Sequence, residues 1–471
     1  MSRNPMVSVG FVALASQLFI YHTRFFDVVL TGFKIPIITF ILSVFMLFAS
    51  GRATAGFRSP IGLFLTAMVG WWAMCLPTSI WRSNSVARIT IGIQAIILFL
   101  EIVAFIADRG LLMRAVKLIA ACTGLSAAIA LFHQAPLLVI DRLAYAQGTF
   151  ADANEFATWL LIGLPMMWLW FTSNASFFGK ALCLAASPLI IWAFLKTGSR
   201  GGLIAFVILI IGVFLTISMA KKVVLVSAGA LLVLSALTFL PSYITARYKT
   251  FFSNDADAEL RGQLGEAVGS SESRLDLLKA SLAATIRYPI FGQGPGNFGE
   301  YHWNKYKSET GYNTPAFTPH NTYTQLSSET GVPGALLFVC ALITTFRLMA
   351  RVPRLRTAQG LPLAPELVQV CYFLRMSLLA LCGSAMFLSL AYSGIFFIIM
   401  GLSAAAYQVA LQEQYAAGPA VPTPVPGVAA ATGMAAQPAP TPASAWMQPA
   451  PNQRPVKFGG RGAIEPSAHW R

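Results

Sequence analysis

Long runs of apolar residues, separated by short polar segments, dominate this chain. Runs of about 20 predominantly apolar residues are long enough to cross the hydrocarbon core of a bilayer as α-helices. Twelve runs predict helices near residues 6–21, 35–50, 60–80, 89–107, 114–132, 156–172, 178–195, 202–220, 223–240, 333–350, 370–390 and 393–411. The pattern therefore predicts an all-α polytopic membrane protein with about 12 transmembrane helices.

Two segments interrupt this pattern. Residues 241–332 are polar and carry many of the acidic side chains, and a loop of this length is usually functional. Residues 412–471 are rich in Ala and Pro and lack periodicity, which is typical of a disordered tail. The predicted organisation is nine transmembrane helices in 1–240, a large loop with short helices in 241–332, three more helices in 333–411, and a cytoplasmic tail in 412–471.

Composition supports a membrane environment. Hydrophobic residues make up 56% of the chain, charged residues 11%, and the mean hydropathy is +0.65. Soluble domains carry roughly 25% charged residues. The net charge of +15 comes from basic residues scattered over short segments between helices, so it indicates membrane topology and excludes nucleic-acid binding. More Lys and Arg fall on the cytoplasmic side when the N-terminus is cytoplasmic, an orientation that places residues 241–332 outside the cytoplasm.

The sequence TGSRGG at 197–202 lies between two predicted membrane helices. Its glycines permit a tight reversal and a close approach of a ligand to the backbone. Arg200 would lie at headgroup depth, where a guanidinium can bind phosphate oxygens in a bidentate manner. The alternative is an interfacial arginine that only reaches the lipid headgroups.

The sequence SESRLD at 271–276 opens an amphipathic stretch that predicts a helix. Ser273 and Asp276 fit a capping box, so Arg274 would stand at a helix N-terminus. Free N–H groups and the helix dipole favour an anion there. The alternative is a surface arginine paired with Glu272 or Asp276.

The sequence PHNTYTQ at 319–325 combines a histidine with a predicted helix start. Thr322 and Gln325 fit a capping box, which places His320 immediately before the helix at the membrane surface. The positive end of a helix disfavours the imidazolium form, and a neutral ring suits a general base. The alternative is a histidine that only orders the loop.

Two further motifs are weaker. Asp255 and Asp257 form a DxD doublet of the kind that binds metal in some nucleotide-sugar transferases, but such doublets arise easily by chance. The sequence GQGPGNFG at 292–299 echoes a dinucleotide-binding fingerprint, yet no βαβ pattern surrounds it, so it predicts a shaped turn. The six cysteines lie in apolar runs without metal-binding spacing. No metal site is predicted.

Together these segments resemble the O-antigen ligase/polymerase superfamily of bacterial inner-membrane proteins. The resemblance rests on TGSRGG (197–202), SESRLDLLKASLAATIRYPIFGQGPGNFGEYH (271–302) and PHNTYTQLSSETGVPGALLF (319–338). ADANEFATWLLIGLP (151–165) also resembles a family segment that opens a mid-chain helix. The resemblance extends over most of the chain, apart from the N-terminal region and the tail.

The resemblance implies a GT-C-like glycosyltransferase of the inner membrane that needs neither metal nor cofactor and whose site faces the periplasm. Its donor would be a glycan on undecaprenyl diphosphate, and its leading acceptor a sugar of lipid A-core. Arg200 and Arg274 would hold the donor diphosphate, and His320 would activate or orient the acceptor hydroxyl. Supporting residues would be Asn154, Asn321 and Glu329.

Three other functions stay open. An O-antigen polymerase and a protein O-oligosaccharyltransferase would use the same donor with a different acceptor. A transporter or flippase of the lipid-linked sugar would also need many helices and arginines for a diphosphate. Transporters more often contain internal repeats, and no repeat is evident in this sequence.

Overall fold

The computed structural model describes residues 5–28, 35–134, 142–145, 149–173, 176–249, 274–311 and 317–416. Within these ranges the chain is almost entirely helical and forms no strand, apart from an isolated bridge between Arg356 and Pro362. The predicted all-α membrane fold is confirmed. The last helix reaches Ala416 and so includes the first residues of the predicted tail, whereas residues 417–471 lie outside the described ranges.

Sixteen α-helices, numbered in chain order, lie in the described ranges. They are α1 Pro5–Thr23, α2 Phe25–Val28, α3 Ile35–Ala49, α4 Pro60–Met74, α5 Arg82–Phe105, α6 Arg109–Ala128, α7 Ala153–Thr172, α8 Phe177–Lys196, α9 Arg200–Phe214, α10 Met219–Phe239, α11 Ser242–Lys249, α12 274–287, α13 Phe298–Thr310, α14 Thr322–Arg351, α15 Pro365–Ala385 and α16 Gly394–Ala416. Each of the twelve predicted apolar runs lies on one of them.

Nine helices of the described part are long and apolar enough to cross a membrane, and α3 and α9 are apolar but shorter. The interior of the bundle is formed by α7, α15 and α16. Helix α15 packs on α7 and α9, α16 packs on α5, and α14 packs on α4. Helix α10 buries none of its residues and exposes a largely apolar surface, which is stable only because lipid replaces water around it.

Helix α14 joins the predicted membrane run at 333–350 to the helix start predicted at Thr322, so its first turns lie within the segment 241–332. The helix is kinked at Gly331, whose φ of 72° is left-handed. A Cβ atom at this position would lie 1.9 Å from the carbonyl oxygen of Ile290. Only glycine therefore permits the close approach of α14 to the segment that follows α12.

The predicted shaped turn at 292–296 is present. Gly292, Gly294 and Gly296 all have positive φ, between 62° and 93°. The backbone N–H of Gly294 donates to the carbonyl of Glu329 (2.9 Å), one of the carbonyls left available at the kink of α14. The turn is thus a fixed part of the bundle rather than a mobile loop.

The connections that carry the candidate motifs meet at one end of the bundle, which we call the loop end. The N–H of Ile80 donates to Gln293 across 3.1 Å, and the N–H of Leu143 donates to Lys196 across 3.0 Å. Because successive spans run in opposite directions, segments far apart in sequence are brought together there.

Candidate functional site

Arg200 is the first residue of α9, and the turn before it is built for that position. Gly198 adopts a left-handed φ of 58°, which reverses the chain after α8. The hydroxyl of Ser199 accepts a hydrogen bond from the N–H of Gly202 (3.1 Å) and so caps the helix. Arg200 therefore stands at the positive end of α9, which the sequence analysis had placed two residues later.

Two further arginines hold this turn by its carbonyl groups. The Nε of Arg142 donates to the carbonyl of Thr197 (2.9 Å), and the Nε of Arg247 donates to the carbonyl of Gly198 (3.0 Å). In this way Arg247 comes close enough for its charge to act on Arg200 and on Arg142. Burial, together with the nearby charge of Arg247, lowers the pKa of Arg142 to about 10.

Asn154 forms hydrogen bonds with both Arg142 and the turn before α9. Its Oδ1 atom accepts hydrogen bonds from the Nη2 of Arg142 (2.9 Å) and from the hydroxyl of Ser199 (2.9 Å). Its own N–H donates to the carboxylate of Asp152, which caps α7. Asn154, predicted as a supporting residue, thus positions the Arg200 turn and one neighbouring arginine at once.

Arg274 is the first described residue of α12 and is half-buried. Its positive charge acts on Arg200 and on His320. Burial lowers the pKa of Arg274, an effect that the charge of Asp152 opposes. Asp276, the alternative partner, is exposed and pairs instead with Lys279 (3.6 Å). Ser273, the predicted capping residue, and Glu272 lie outside the described residues.

His320 has an unusual backbone conformation. Its φ is 51°, in the left-handed region that residues other than glycine enter at some cost, and its N–H donates to the hydroxyl of Ser389 (2.9 Å). Burial lowers the pKa of His320, the charge of Arg274 lowers it further, and the charge of Asp152 opposes both effects. This direction favours the neutral imidazole, and burial rather than the helix dipole is its main cause.

The predicted capping box at the start of α14 is wrong. The helix is capped by Asn321, whose Oδ1 atom accepts from the N–H groups of Tyr323 and Thr324 at 3.0 Å each. The hydroxyl of Thr322 donates instead to the carbonyl of Leu388 (2.7 Å). The start of α14 is thereby tied to the link between α15 and α16, which the sequence motifs did not reveal.

The same link connects His320 with the Arg200 turn. Gly201, next to Arg200, packs so closely on this link that a Cβ atom would lie 2.7 Å from the Cβ of Phe387. His320 is bonded to Ser389, two residues further along. The charge of Arg274 therefore connects Arg200 and His320. We call these three residues, together with Arg142 and Arg247, the arginine cluster.

The comparison with protein families concerns this region. Residues 185–339 of the 471 match the family model described as O-antigen ligase. The match supports a relation of this segment to the O-antigen ligase superfamily. It supports an enzymatic, ligase- or polymerase-type role in O-antigen or lipopolysaccharide synthesis. No curated protein matches the chain.

The part that matches the O-antigen ligase family begins within α8 and ends within α14, so it contains Arg200, Arg247, Arg274 and His320. Arg142, which precedes it, was not singled out from the sequence because no glycine or helix-start motif marks it. Its contact with the turn arises only from packing of distant segments.

Glu329, the remaining supporting residue, serves a different part of the molecule. Its carboxylate accepts hydrogen bonds from the hydroxyl of Tyr392 (2.5 Å) and from the N–H groups of Gly296 (2.8 Å) and Phe298 (3.4 Å). Glu329 therefore holds the turn at 292–296 and the start of α13. Asp255 and Asp257 lie outside the described residues.

Proposed function

We propose that the protein is an O-antigen ligase of the bacterial inner membrane, with a GT-C-like architecture and a site that faces the periplasm. It would transfer a glycan from undecaprenyl diphosphate to a sugar hydroxyl of lipid A-core. The observation that carries this proposal is the arginine cluster, because two half-buried arginines and a neutral histidine share one electrostatic environment. A membrane-anchored diphosphate and an acceptor hydroxyl need such partners at the same place.

The reaction assigns a role to each group. The acceptor oxygen attacks the anomeric carbon of the donor sugar, and the bond from that carbon to the diphosphate oxygen breaks. Undecaprenyl diphosphate departs with the bonding electrons, and the hydroxyl proton passes to the imidazole of His320. Arg200 and Arg274 stabilise the charge that develops on the departing diphosphate, without a step that requires a metal ion.

Arg142 and Arg247 contribute indirectly in this scheme. Their Nε groups are used on the carbonyls of Thr197 and Gly198, so they fix the turn that presents Arg200. Their charges also raise the local positive potential, which favours a dianionic or trianionic headgroup over a neutral lipid.

The deciding assay mixes purified protein, undecaprenyl-diphosphate glycan and lipid A-core. We expect a covalent glycolipid with the glycan on the core. Elongation of the glycan on its lipid carrier would indicate a polymerase instead, and translocation in vesicles without a new bond would indicate a transporter.

The variant His320→Asn tests the role of the imidazole most directly. Asparagine tolerates left-handed φ better than alanine does, so His320→Asn preserves the backbone while it removes the imidazole. We expect transfer to fall about 10²–10⁴-fold, with unchanged thermal unfolding and membrane content. Full activity in His320→Asn would remove this residue from the chemistry.

A further inference from the structure

A carboxylic acid lies inside the helix bundle, away from the arginine cluster. Glu101 belongs to α5, within the apolar run predicted at 89–107, and its side chain is fully buried. Among the described residues, no basic side chain forms an ion pair with it. An ionisable group inside a membrane span is costly and is usually functional. The proposed transfer reaction does not use Glu101.

Glu101 is the centre of a polar cluster between three helices. Its Oε1 atom lies 2.7 Å from the hydroxyl of Ser43 on α3, and this hydroxyl also accepts a hydrogen bond from the Nε2 of Gln17 on α1. Gln17 donates a second bond to the carbonyl of Thr39 (3.3 Å). We call Glu101, Ser43 and Gln17 the Glu101 cluster. It ties α3 to α1 and α5 by side chains inside the apolar part of the bundle.

The bonds of Ser43 indicate where the protons lie. Its hydroxyl has one proton to donate and lies 2.9 Å from the carbonyl of Phe40, which can only accept. The amide of Gln17 donates to Ser43, so the contact with Glu101 has a proton of its own only if the carboxyl group carries one. The second carboxyl oxygen, Oε2, is buried and has no hydrogen-bond partner in the described part of the chain. An ionised carboxylate would keep charge on this unsolvated oxygen, whereas a protonated carboxyl group avoids that cost.

No neighbouring charge compensates for ionisation of Glu101. None of the titratable side chains on the described segments that pack against α5 acts on its carboxyl group. These side chains are Tyr21, His22, Arg58, Cys75, Tyr407, Glu413 and Tyr415. Burial and the hydroxyl of Ser43 therefore decide the state of Glu101.

Helix α3 depends on this cluster for its attachment. Among its residues only Ser43 and Leu47 are buried, whereas Ile41 and Phe45 are each 63% exposed. Lipid packs on an apolar helix face about as well as protein does, so apolar contacts alone give little preference for one docked position. The hydrogen bonds of Ser43 to the neighbouring helices therefore fix the position of α3.

Water can reach the Glu101 cluster through a cavity of about 920 Å³ between α1, α3 and α5. Gln17 and Thr39 line this cavity, and Asn84 lines it near the loop end. Polar groups thus lead from the loop end to Gln17, which donates to Ser43. A proton can therefore exchange between water in the cavity and Glu101.

We propose that the Glu101 cluster is an intramembrane proton-binding site, in which protonated Glu101 fastens α3 to α1 and α5. Binding adds one proton from water to the carboxylate and removes its charge from the apolar interior. Loss of the proton leaves an unpaired charge inside the bundle, so α3 loosens and water enters. Because the docked state holds the proton and the loosened state does not, docking weakens as the pH rises. This inference does not depend on the proposed function.

Infrared spectroscopy of the purified protein in lipid bilayers tests the proton directly, because the carbonyl band of a protonated carboxylic acid is distinct from the bands of a carboxylate. At neutral pH we expect Glu101→Gln to lose an acid band relative to wild type. The control Glu309→Gln, which changes an exposed glutamate on α13, should lose carboxylate bands instead. Loss of carboxylate bands in Glu101→Gln would overturn the proposal.

Hydrogen exchange of the α3 amides tests the link between the proton and the attachment. Wild type and Glu101→Gln are compared at the same pH, so the intrinsic exchange rate cancels. Glutamine keeps a donor and an acceptor for Ser43 but cannot ionise. We expect equal exchange at mildly acidic pH and about three- to tenfold faster exchange in wild type at alkaline pH, the effect of about one hydrogen bond between membrane helices. Equal exchange at every pH would contradict a role for the proton.

Ser43→Ala tests the attachment separately from the proton. This variant removes the shared hydroxyl, so α3 should exchange about three- to tenfold faster than in wild type at every pH. Thr39→Val is the matched control on α3, because the hydroxyl of Thr39 bonds to carbonyls one turn earlier in the same helix. Exchange in Ser43→Ala that equals wild type would show that the cluster does not fasten α3, and the proposal would fail.

Discussion

Two glycine-rich turns lie at the loop end, and they differ in what occupies their polar groups. The turn at 197–202 precedes α9, and the turn at 292–296 precedes α13. Both contain glycines with left-handed φ, and both place a helix N-terminus next to the turn. In sequence, each resembles a device that brings a backbone close to a phosphate.

The side chains that hold the two turns differ in chemistry. Arginine side chains bind the carbonyl groups of the first turn, so positive charge gathers around Arg200. The N–H groups of Gly296 in the second turn and of Phe298 after it donate to the carboxyl oxygens of Glu329, so an acidic side chain of the protein already occupies them. Glycine content alone therefore does not identify a phosphate site. A phosphate site is indicated by basic side chains that hydrogen-bond the turn.

The largest expected effect tests the first turn. Arg200→Ala and Arg274→Ala should each lower the transfer rate by about 10³-fold or more, because each removes charge from the departing diphosphate. Lysine at either position should recover only part of the activity, since it lacks the bidentate geometry of arginine. The readout is initial rate with both substrates at saturation.

Arg287→Ala is the matched control for these variants. Arg287 lies in α12 with Arg274, but its guanidinium packs over Tyr288, at 5.7 Å from the ring centroid. We expect near wild-type transfer. Equal losses in Arg287→Ala and Arg274→Ala would mean that α12 tolerates no change, and would contradict a specific role for Arg274.

The second turn should respond in stability rather than in activity per folded molecule. Glu329→Gln weakens the acceptor for Gly296 and Phe298 and should lower the free energy of unfolding by about 1–3 kcal/mol. Thermal unfolding in detergent measures this, and the exposed Glu309→Gln serves as the control. A large loss of transfer without a change in stability would place Glu329 in the chemistry and would blur the contrast between the turns.

A smaller effect is expected at Asn154, because this residue positions other side chains and does not bind the substrate itself. Asn154→Ala removes the shared acceptor of Arg142 and Ser199, and we expect about a tenfold loss of transfer. Ser199→Ala and the double variant complete a mutant cycle. Losses that are clearly less than additive would support a common role in holding the turn. Strict additivity would argue that the two residues act independently.

The smallest effect concerns pH. The pKa of His320 lies below 6.5, so the neutral base form persists as the pH falls through 6.5 and is lost only when the pH passes the lowered pKa. The rate of transfer should therefore stay level from about pH 8 to below 6.5 before it declines. An acid limb at or above pH 6.5 that is absent in His320→Asn would contradict a buried, neutral imidazole.

The sequence predicted the helices well, because apolar runs of membrane length leave little choice of structure. It also predicted that Arg200 lies between two helices and that His320 precedes one. The cap of α14 was assigned to the wrong residue, because Asn321 rather than Thr322 caps the helix. Local propensity did not show which of these two adjacent polar residues caps the helix. In the structure, the hydroxyl of Thr322 is used on the carbonyl of Leu388, after α15, and Asn321 is the cap.

The parts that escaped prediction depend on contacts between distant segments. Arg142 and Arg247 bind carbonyl groups of the same turn from loops that no sequence pattern connects. Hydrophobic periodicity encodes which faces are apolar, but it does not encode which side chains meet across the bundle.

The most direct test of the central claim is an experimental structure of the protein with undecaprenyl diphosphate bound. We expect the diphosphate oxygens to lie within about 3 Å of the guanidinium nitrogens of Arg200 and Arg274, on the side of the link between α15 and α16 that faces His320. A diphosphate bound elsewhere in the protein, with the arginine cluster unoccupied, would contradict this role of the two arginines.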